Sequence, residues 1–233
     1  MPKICILGSG SWGTAQALLL SSKGFQVILW GRVEDGVDSL QQERENRRFL
    51  PGIGLPDTIA ATSDLAQALK GADMVVMAVP SQSLREVLEK ARPYLGKDSC
   101  LVNTAKGLEI SSGMRMSQVV EDVLGSQSRE QYAVLSGPSH AEEVARSIPT
   151  AITVASYRKE KAFLVQDLYM TPFFRVYTNP DVAGVELGGA LKNIIALGTG
   201  IASGLGYGDN TQAALLTRGL HEIIRMGEAM GGE

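Results

Sequence analysis

The 233-residue sequence predicts an α/β fold: a mostly parallel sheet with helices on both faces, followed by the start of an all-helical C-terminal domain. Three observations carry this. Short apolar runs alternate with helix-period segments through the first 155 or so residues. A Gly-x-Gly-x-x-Gly stretch, Gly8 to Gly13, stands directly behind the first apolar run. After Asn179-Pro180 the strand signal stops, and the sequence turns helical and rich in glycine and alanine. Strand and helix alternating at this spacing is the pattern of parallel strands joined by helical crossovers.

In chain order, residues 4–7 read as the first strand and 11–23 as a helix, closed by Gly24 at its C-terminal end. Residues 25–30 are a second strand. A short helix over 64–69 precedes a third strand at 74–79. A helix at 84–91 stops at Pro93, and 100–103 is a fourth strand. A helix over 114–124 leads to strands at 133–135 and 151–155. A helix at 163–168 follows, and residues 172–178 pair at a sheet edge. Two helices, 182–202 and 210–230, flank Gly204-Leu-Gly-Tyr-Gly208. The expected division is 1–180 for a dinucleotide-binding domain and 181–233 for part of a helical substrate domain. Two helices are thin for a compact unit, which typically needs ~50 residues or more with its own core. They must pack on the sheet domain, on a second copy, or on further helices.

Composition narrows the class. Apolar residues make up 44% and charged residues 20%, enough for a core and too apolar for disorder. The net charge of −3 argues against a nucleic-acid partner, which favours a basic face. Any anionic ligand must then be held by a local cluster of donors. Glu186, Lys192 and Asn193 interrupt the most apolar helix, so no membrane insertion is expected. Cys5 and Cys100 fall in strands and read as small core residues. With no room for a leader before the first strand, the expected location is cytoplasmic. No metal-ligand constellation is expected.

The glycine motif gives the sheet a Rossmann-type reading. Gly8 permits the tight turn, Gly10 lets backbone approach a pyrophosphate, and Gly13 allows close contact between helix and strand. The helix N-terminus then offers free N–H groups to phosphate. At the end of the second strand, an NAD site places an acid for the ribose 2′-OH; here the sequence is Trp30-Gly31-Arg32. Arg32 suits a 2′-phosphate, so NADPH is the expected cofactor, with NADH possible through Glu34 or Asp35 slightly later.

Segments 79–82, 103–107 and 136–140 follow strands, where open α/β sheets place their ligands. Lys106, beside Gly107, can reach an anion or a carbonyl oxygen. His140 reads as a surface or capping residue and His221 as structural. Lys192 lies among Leu187, Leu191, Ile194, Ile195 and Leu197. An ammonium there is costly unless something offsets its desolvation, so a proton-transfer or anion-binding use is expected.

Together these motifs resemble the bacterial-type glycerol-3-phosphate dehydrogenases that use NAD(P). The matching stretches are GSGSWGTA (8–15), LWGR (29–32), NRRFLP (46–51), AVPSQSLREVL (78–88), NTAKGLE (103–109), SGPSHAEEVARSIPTA (136–151) and VELGGALKNIIALGTGIASGLGYGDNTQAALLTRGLHEI (185–223). The resemblance implies reversible reduction of dihydroxyacetone phosphate to sn-glycerol 3-phosphate, feeding phospholipid synthesis, by a homodimer. It implies cofactor contacts at Ser11, Trp12, Arg32 and Ala141, and a contact to both cofactor and substrate at Lys106. It implies substrate contacts at Gly137 and Ser139, and proton transfer by Lys192 with Asn193 beside it. Members of that family continue beyond the point where this sequence ends, at Gly231-Gly232-Glu233. The expectation is therefore a fragment lacking the family's substrate-phosphate arginine. Two alternatives stay open: another NAD(P)-dependent dehydrogenase acting on a 3-hydroxy acid or phosphosugar, and a non-catalytic dinucleotide-binding module.

Overall fold

A computed structural model describes residues 1–233. Its eight-stranded sheet is built from β1 (Lys3–Leu7), β2 (Gln26–Trp30), β5 (Ile59–Thr62), β6 (Met74–Met77), β7 (Cys100–Asn103), β8 (Tyr132–Ser136), β9 (Thr150–Ser156) and β10 (Phe174–Asn179). The strand order is β10-β9-β8-β7-β6-β1-β2-β5. Helices α1 (Ser11–Ser22), α2 (Val37–Glu43), α3 (Leu65–Leu69), α4 (Leu84–Ala91), α5 (Met116–Leu124), α6 (Ala141–Ala145) and α7 (Lys159–Tyr169) connect them. A small hairpin of β3 (Glu45–Asn46) and β4 (Leu50–Gly54) stands apart from the sheet. Helices α8 (Val182–Gly204) and α9 (Asp209–Ala229) complete the chain.

The strands are apolar almost throughout because both sheet faces are covered. Side chains alternate along each strand, so one strand feeds two cores. Ile4 and Ile6 of β1 join the core under α1, α2, α6 and α7, through residues such as Leu20, Leu40, Val144 and Val165. Cys5 and Leu7 join the opposite core under α3, α4 and α5, through Leu69, Leu88 and Val120. Cys5 and Cys100 are unpaired and lie one in each core. Burial pushes the Cys5 thiol up to about 12 and the Cys100 thiol to about 11, so neither ionises near neutrality.

The reversal of crossover direction at β1 falls between β2 on one side and β6 on the other. Such a switch point opens a crevice beyond the carboxyl ends of the strands. One pairing departs from the parallel pattern: β8 and β9 are antiparallel. The connecting segment 137–149 stays at the carboxyl edge, where α6 packs on α1, so β9 starts from that edge and runs back. β10 then pairs parallel to β9 at the sheet edge.

Segment 33–63 holds structure that the sequence did not announce: α2, the hairpin, and β5 at the opposite edge. Only Val37 and Leu40 of α2 are buried, too few to show a period. β5 alternates Ile59 and Ala61 inward over four residues, a weak strand signal.

Helix α8 begins at Asp181, whose side chain accepts from Gly184 N at 2.8 Å. Its first turns, including Val182, Ala183, Leu187 and Gly189, are buried against β8 and β9. Farther along the helix leaves the sheet, and Ile194 (65%), Leu197 (66%) and Ile201 (55%) are exposed. The sequence expectation of an ammonium among Leu187, Leu191, Ile194, Ile195 and Leu197 is therefore corrected, since Ile194 and Leu197 are themselves exposed. Lys192 lies where α8 emerges, and is half-buried. No helix is long and apolar enough to cross a membrane.

Candidate functional site

The glycine loop is shaped by three different constraints. Gly8 has φ 122, a conformation that L side chains rarely adopt, and a Cβ there would lie 2.7 Å from Ala78 O. A Cβ on Gly13 would lie 1.9 Å from Gly8 O, so α1 can start this close to the loop only without one. Gly10 is different: nothing of the protein lies within 4 Å of an added Cβ. The first bond of α1 runs from Thr14 N to Gly10 O at 3.0 Å, and Gly10 has no side chain to cap the helix. The amides ahead of Thr14 thus stand outside the helical ladder, as a phosphate site requires.

Asn46 ties the hairpin to this loop. Its Nδ2 donates to Ser9 O at 2.8 Å and to Thr14 Oγ1 at 2.7 Å, and its Oδ1 accepts from Phe49 N at 3.2 Å. The asparagine is buried, so all three bonds are shielded from water. The hairpin places Arg48 and Phe49 on the rim of the crevice. The Arg48 guanidinium stands 4.9 Å from the Phe49 ring centroid and donates to Glu34 O at 2.7 Å.

The crevice is a cleft of about 830 Å³ along the carboxyl ends of the strands. That lies within the usual range for small-molecule sites, roughly 300–1,000 Å³. The end nearest β2 is lined by Arg32, Asp35, Glu86 and Lys90. Gly8, Gly10, Ser11 and Trp12 form the middle, and Lys106, Ser139, His140, Ala141 and Glu142 the far end. Ser9 Oγ and Trp12 Nε1 are buried without a hydrogen-bond partner. Open space over Gly10, the free helix start and the unpaired indole N–H together fit a dinucleotide.

Lys106 is the desolvated lysine. It follows β7 through Thr104, and its Nζ donates to Gly137 O at 3.2 Å and Ser139 Oγ at 3.1 Å. Burial, with the Lys192 charge second, brings its pKa down to about 8. Thr104 itself is fixed from below, donating to Met77 O at 3.0 Å and accepting from Gln16 Nε2 at 3.3 Å.

Lys192 and Asn193 do not line the cleft; Lys192 Nζ donates to Asn193 Oδ1 at 3.1 Å beside its far end. Gly189 explains the approach of α8. A Cβ there would meet Ser136 Oγ at 2.3 Å and Lys106 Cγ at 3.8 Å. Lys192 is three residues on, one helical turn along the same face, and so projects toward Lys106. Behind that face, Glu186 is buried and accepts from Ser117 N (2.7 Å), Ser117 Oγ (2.7 Å), Tyr132 Oη (2.5 Å) and Arg115 Nη1 (2.8 Å).

Of the residues picked from sequence, Gly8, Gly10, Ser11, Trp12, Arg32, Lys106, Ser139 and Ala141 line the cleft. Gly13 lies beneath it, and Gly137 contributes its carbonyl to Lys106. His140, read as a surface residue, is exposed at the cleft wall with its Nδ1 3.1 Å from Glu142 Oε2. His221 is exposed on α9. Sequence reasoning passed over Arg48, Phe49, Glu86 and Lys90. The hint for the first two was a basic–aromatic pair in a segment with no assigned element; Glu86 and Lys90 pair one turn apart on α4, and nothing in that spacing separates them from an ordinary helix surface.

Residues 3–162 match the family model described as "NAD-dependent glycerol-3-phosphate dehydrogenase N-terminus", and residues 181–233 match the corresponding C-terminus model. A relative from Syntrophomonas wolfei subsp. wolfei, named glycerol-3-phosphate dehydrogenase [NAD(P)+], is 94% identical over 233 residues, covering 100% of this chain and 68% of its own. A Bacillus subtilis protein of the same name is 49% identical over 232 residues, covering 100% of this chain and 67% of its own. The crystal structure of glycerol-3-phosphate dehydrogenase from Coxiella burnetii superposes with a TM-score of 0.92 at 41% identity, over 100% of this chain and 70% of that one. By sequence and by fold, this chain belongs to the NAD-dependent glycerol-3-phosphate dehydrogenase family.

Proposed function

We infer that the chain, extended to the length of its relatives, reduces dihydroxyacetone phosphate reversibly to sn-glycerol 3-phosphate with NADPH in preference to NADH, and that Lys106 and Lys192 flank the reacting oxygen. The observation that carries this is the meeting of Lys106 with the emerging end of α8 beside a glycine loop built for a dinucleotide. Gly8, Gly10, Ser11, Trp12 and Gly13 would hold the pyrophosphate, Arg32 a 2′-phosphate, and Ala141 the nicotinamide side. Bound there, the nicotinamide supplies the hydride.

This chain's residues do the rest. Gly137 and Ser139 orient Lys106 and contact the substrate, and Asn193 does the same for Lys192. As negative charge grows on the ketone oxygen, two ammonium groups stabilise it and Lys192 donates the proton. In the reverse direction neutral Lys192 takes the proton from the alcohol. General acid–base help of this kind is typically worth about 10²–10⁴-fold.

Residues 1–180 act as the dinucleotide-binding domain and 181–233 as part of the substrate domain. The row Ile194, Leu197, Ile201, Leu216 and Leu220 offers an apolar surface for assembly as a homodimer. Two buried, unpaired cysteines fit a cytoplasmic location.

The test is NADPH oxidation with dihydroxyacetone phosphate, measured on chain 1–233 and on the chain extended to the length of its relatives. The extended chain should turn over, and the shorter one should be nearly inactive. Lys192→Met in the extended chain should leave NADPH binding intact and collapse kcat. Retention of most of kcat in that variant would remove Lys192 from this role.

A further inference from the structure

The end of the cleft beyond β2 carries opposite charges in a competitive arrangement. Arg32 Nε donates to Asp35 Oδ2 at 2.8 Å, and Arg32 Nη2 to Asp35 Oδ1 at 3.3 Å. This two-pronged pairing occupies the same guanidinium edge that would grip a phosphate. Both residues line the cleft. Glu34 and Glu86 add negative potential around the same guanidinium. The pair is held locally: Asp35 is three residues on from Arg32, and Gly36 closes the turn with φ 81. It is also wet, with the Arg32 side chain 62% exposed and Asp35 25% exposed. Exposed pairs of this kind contribute little and separate easily.

We propose that Asp35 is a specificity-determining residue. It competes with a 2′-phosphate for Arg32, and in the unphosphorylated cofactor it is the acceptor for the ribose 2′-hydroxyl. With NADPH, Arg32 leaves Asp35 for the phosphate, and the carboxylate remains as a nearby like charge that lowers the gain. With NADH, the Arg32–Asp35 pair stays closed and a free lone pair on Asp35 accepts a hydrogen bond from the 2′-hydroxyl. One arginine and one aspartate thus compress the discrimination and let a single site use both cofactors. This rests on the dinucleotide reading given above and deepens it.

The test measures binding to chain 1–233 of NADPH, NADH, 2′,5′-ADP and 5′-AMP by isothermal titration calorimetry. The proteins are the parent, Asp35→Asn, Arg32→Ala and the double variant. Asp35→Asn should tighten NADPH and 2′,5′-ADP about two- to fivefold and weaken NADH and 5′-AMP by a similar factor, the size expected for one exposed charge pair and its loss. In the double variant the gain for the 2′-phosphate ligands should vanish. An unchanged NADPH/NADH ratio in Asp35→Asn overturns the proposal. So does weaker NADPH binding, since Asp35 would then be ordering Arg32 for the phosphate. If Arg32→Ala weakens NADPH while Asp35→Asn changes nothing, the dinucleotide reading survives and this inference falls; if the parent binds neither dinucleotide, both fall.

Discussion

Tyr132 on β8 donates its phenol hydrogen to Glu186 on α8 across 2.5 Å, with both groups buried. Burial and the Glu186 charge push the tyrosine's ionisation well above its ordinary value. Arg115 and Ser117 complete a carboxylate held by four hydrogen bonds, and these join α8 to the sheet and to the start of α5. Lys192 lies six residues further along the same helix, so its position is inherited from this junction. Glu186→Ala strands a largely buried guanidinium, two hydroxyls and an amide. Breaking a buried pair in this way costs about 3–5 kcal/mol. At ~2–4 °C per kcal/mol for a chain of this size, the melting temperature should fall by roughly 10 °C. Tyr132→Phe removes one donor and should cost about 1–3 kcal/mol. Thermal unfolding of the two variants should rank them in that order; equal losses would mean that Arg115 and Ser117 contribute nothing.

The three glycines of the loop should separate on mutation. Gly13→Ala forces a Cβ to within 1.9 Å of Gly8 O, so the start of α1 must move. It should lower both stability and dinucleotide affinity. Gly10→Ala meets no protein atom within 4 Å and should leave thermal unfolding nearly unchanged. Its methyl group enters the space over the free amides, so affinity should fall by about tenfold or more, the equivalent of ~1.4 kcal/mol. Calorimetric binding beside a thermal melt distinguishes them. A Gly10→Ala protein that bound NADPH as well as the parent would mean the pyrophosphate does not pass over this residue.

What could be read from sequence follows from which signals are local. The glycine loop was legible because the three glycines keep a fixed spacing within six residues, directly between the first strand and the first helix. The strands of the sheet centre were legible because burial on two faces leaves unbroken apolar runs such as Val75, Val76 and Met77. β5 and α2 were not, since edge elements bury only alternate or scattered residues such as Ile59 and Leu40. The antiparallel turn of β9 depends on where α6 packs, a tertiary fact. The lysines show the same division. Composition alone marked Lys192 as the costly charge, yet helix α8 leaves the sheet at that point, and the deeper burial falls on Lys106 between Gly137 and Ser139.

Asn46 gives a test of how the hairpin serves the cleft. Asn46→Ala leaves Ser9 O, Thr14 Oγ1 and Phe49 N without their partner. Unsatisfied buried groups cost about 1–3 kcal/mol. Because the hairpin presents Arg48 and Phe49, loosening it should also weaken NADPH binding and raise the rate of proteolysis within residues 45–54. Arg48→Ala should weaken binding without the added proteolysis. Unaltered NADPH affinity in Asn46→Ala would show that the hairpin is ornamental to the site.

Lys106 sets a pH signature whose sign is fixed by its burial. Its pKa falls from the ordinary lysine value of 10.5 to about 8 in the folded chain, through desolvation first and the Lys192 charge second. Below pH 8 the group is charged in both folded and unfolded states, and the folded state bears the full cost of burying it. Between about 8 and 10.5 the unfolded chain holds a proton that the folded chain has released, so this group makes stability rise with pH across that window. Lys106→Met should therefore be more stable than the parent at pH 7, and the advantage should shrink as pH climbs toward 10.5. Denaturant unfolding of both proteins over that range cancels the other titrating groups. Ligand binding should show the opposite preference. A phosphate-bearing ligand favours the ammonium form, so affinity should be greatest below about pH 8 and decline above it, with proton uptake on binding near the midpoint. In Lys106→Met that part of the decline should disappear. A stability difference that does not vary with pH would mean that Lys106 is more hydrated than its contacts with Gly137 and Ser139 imply.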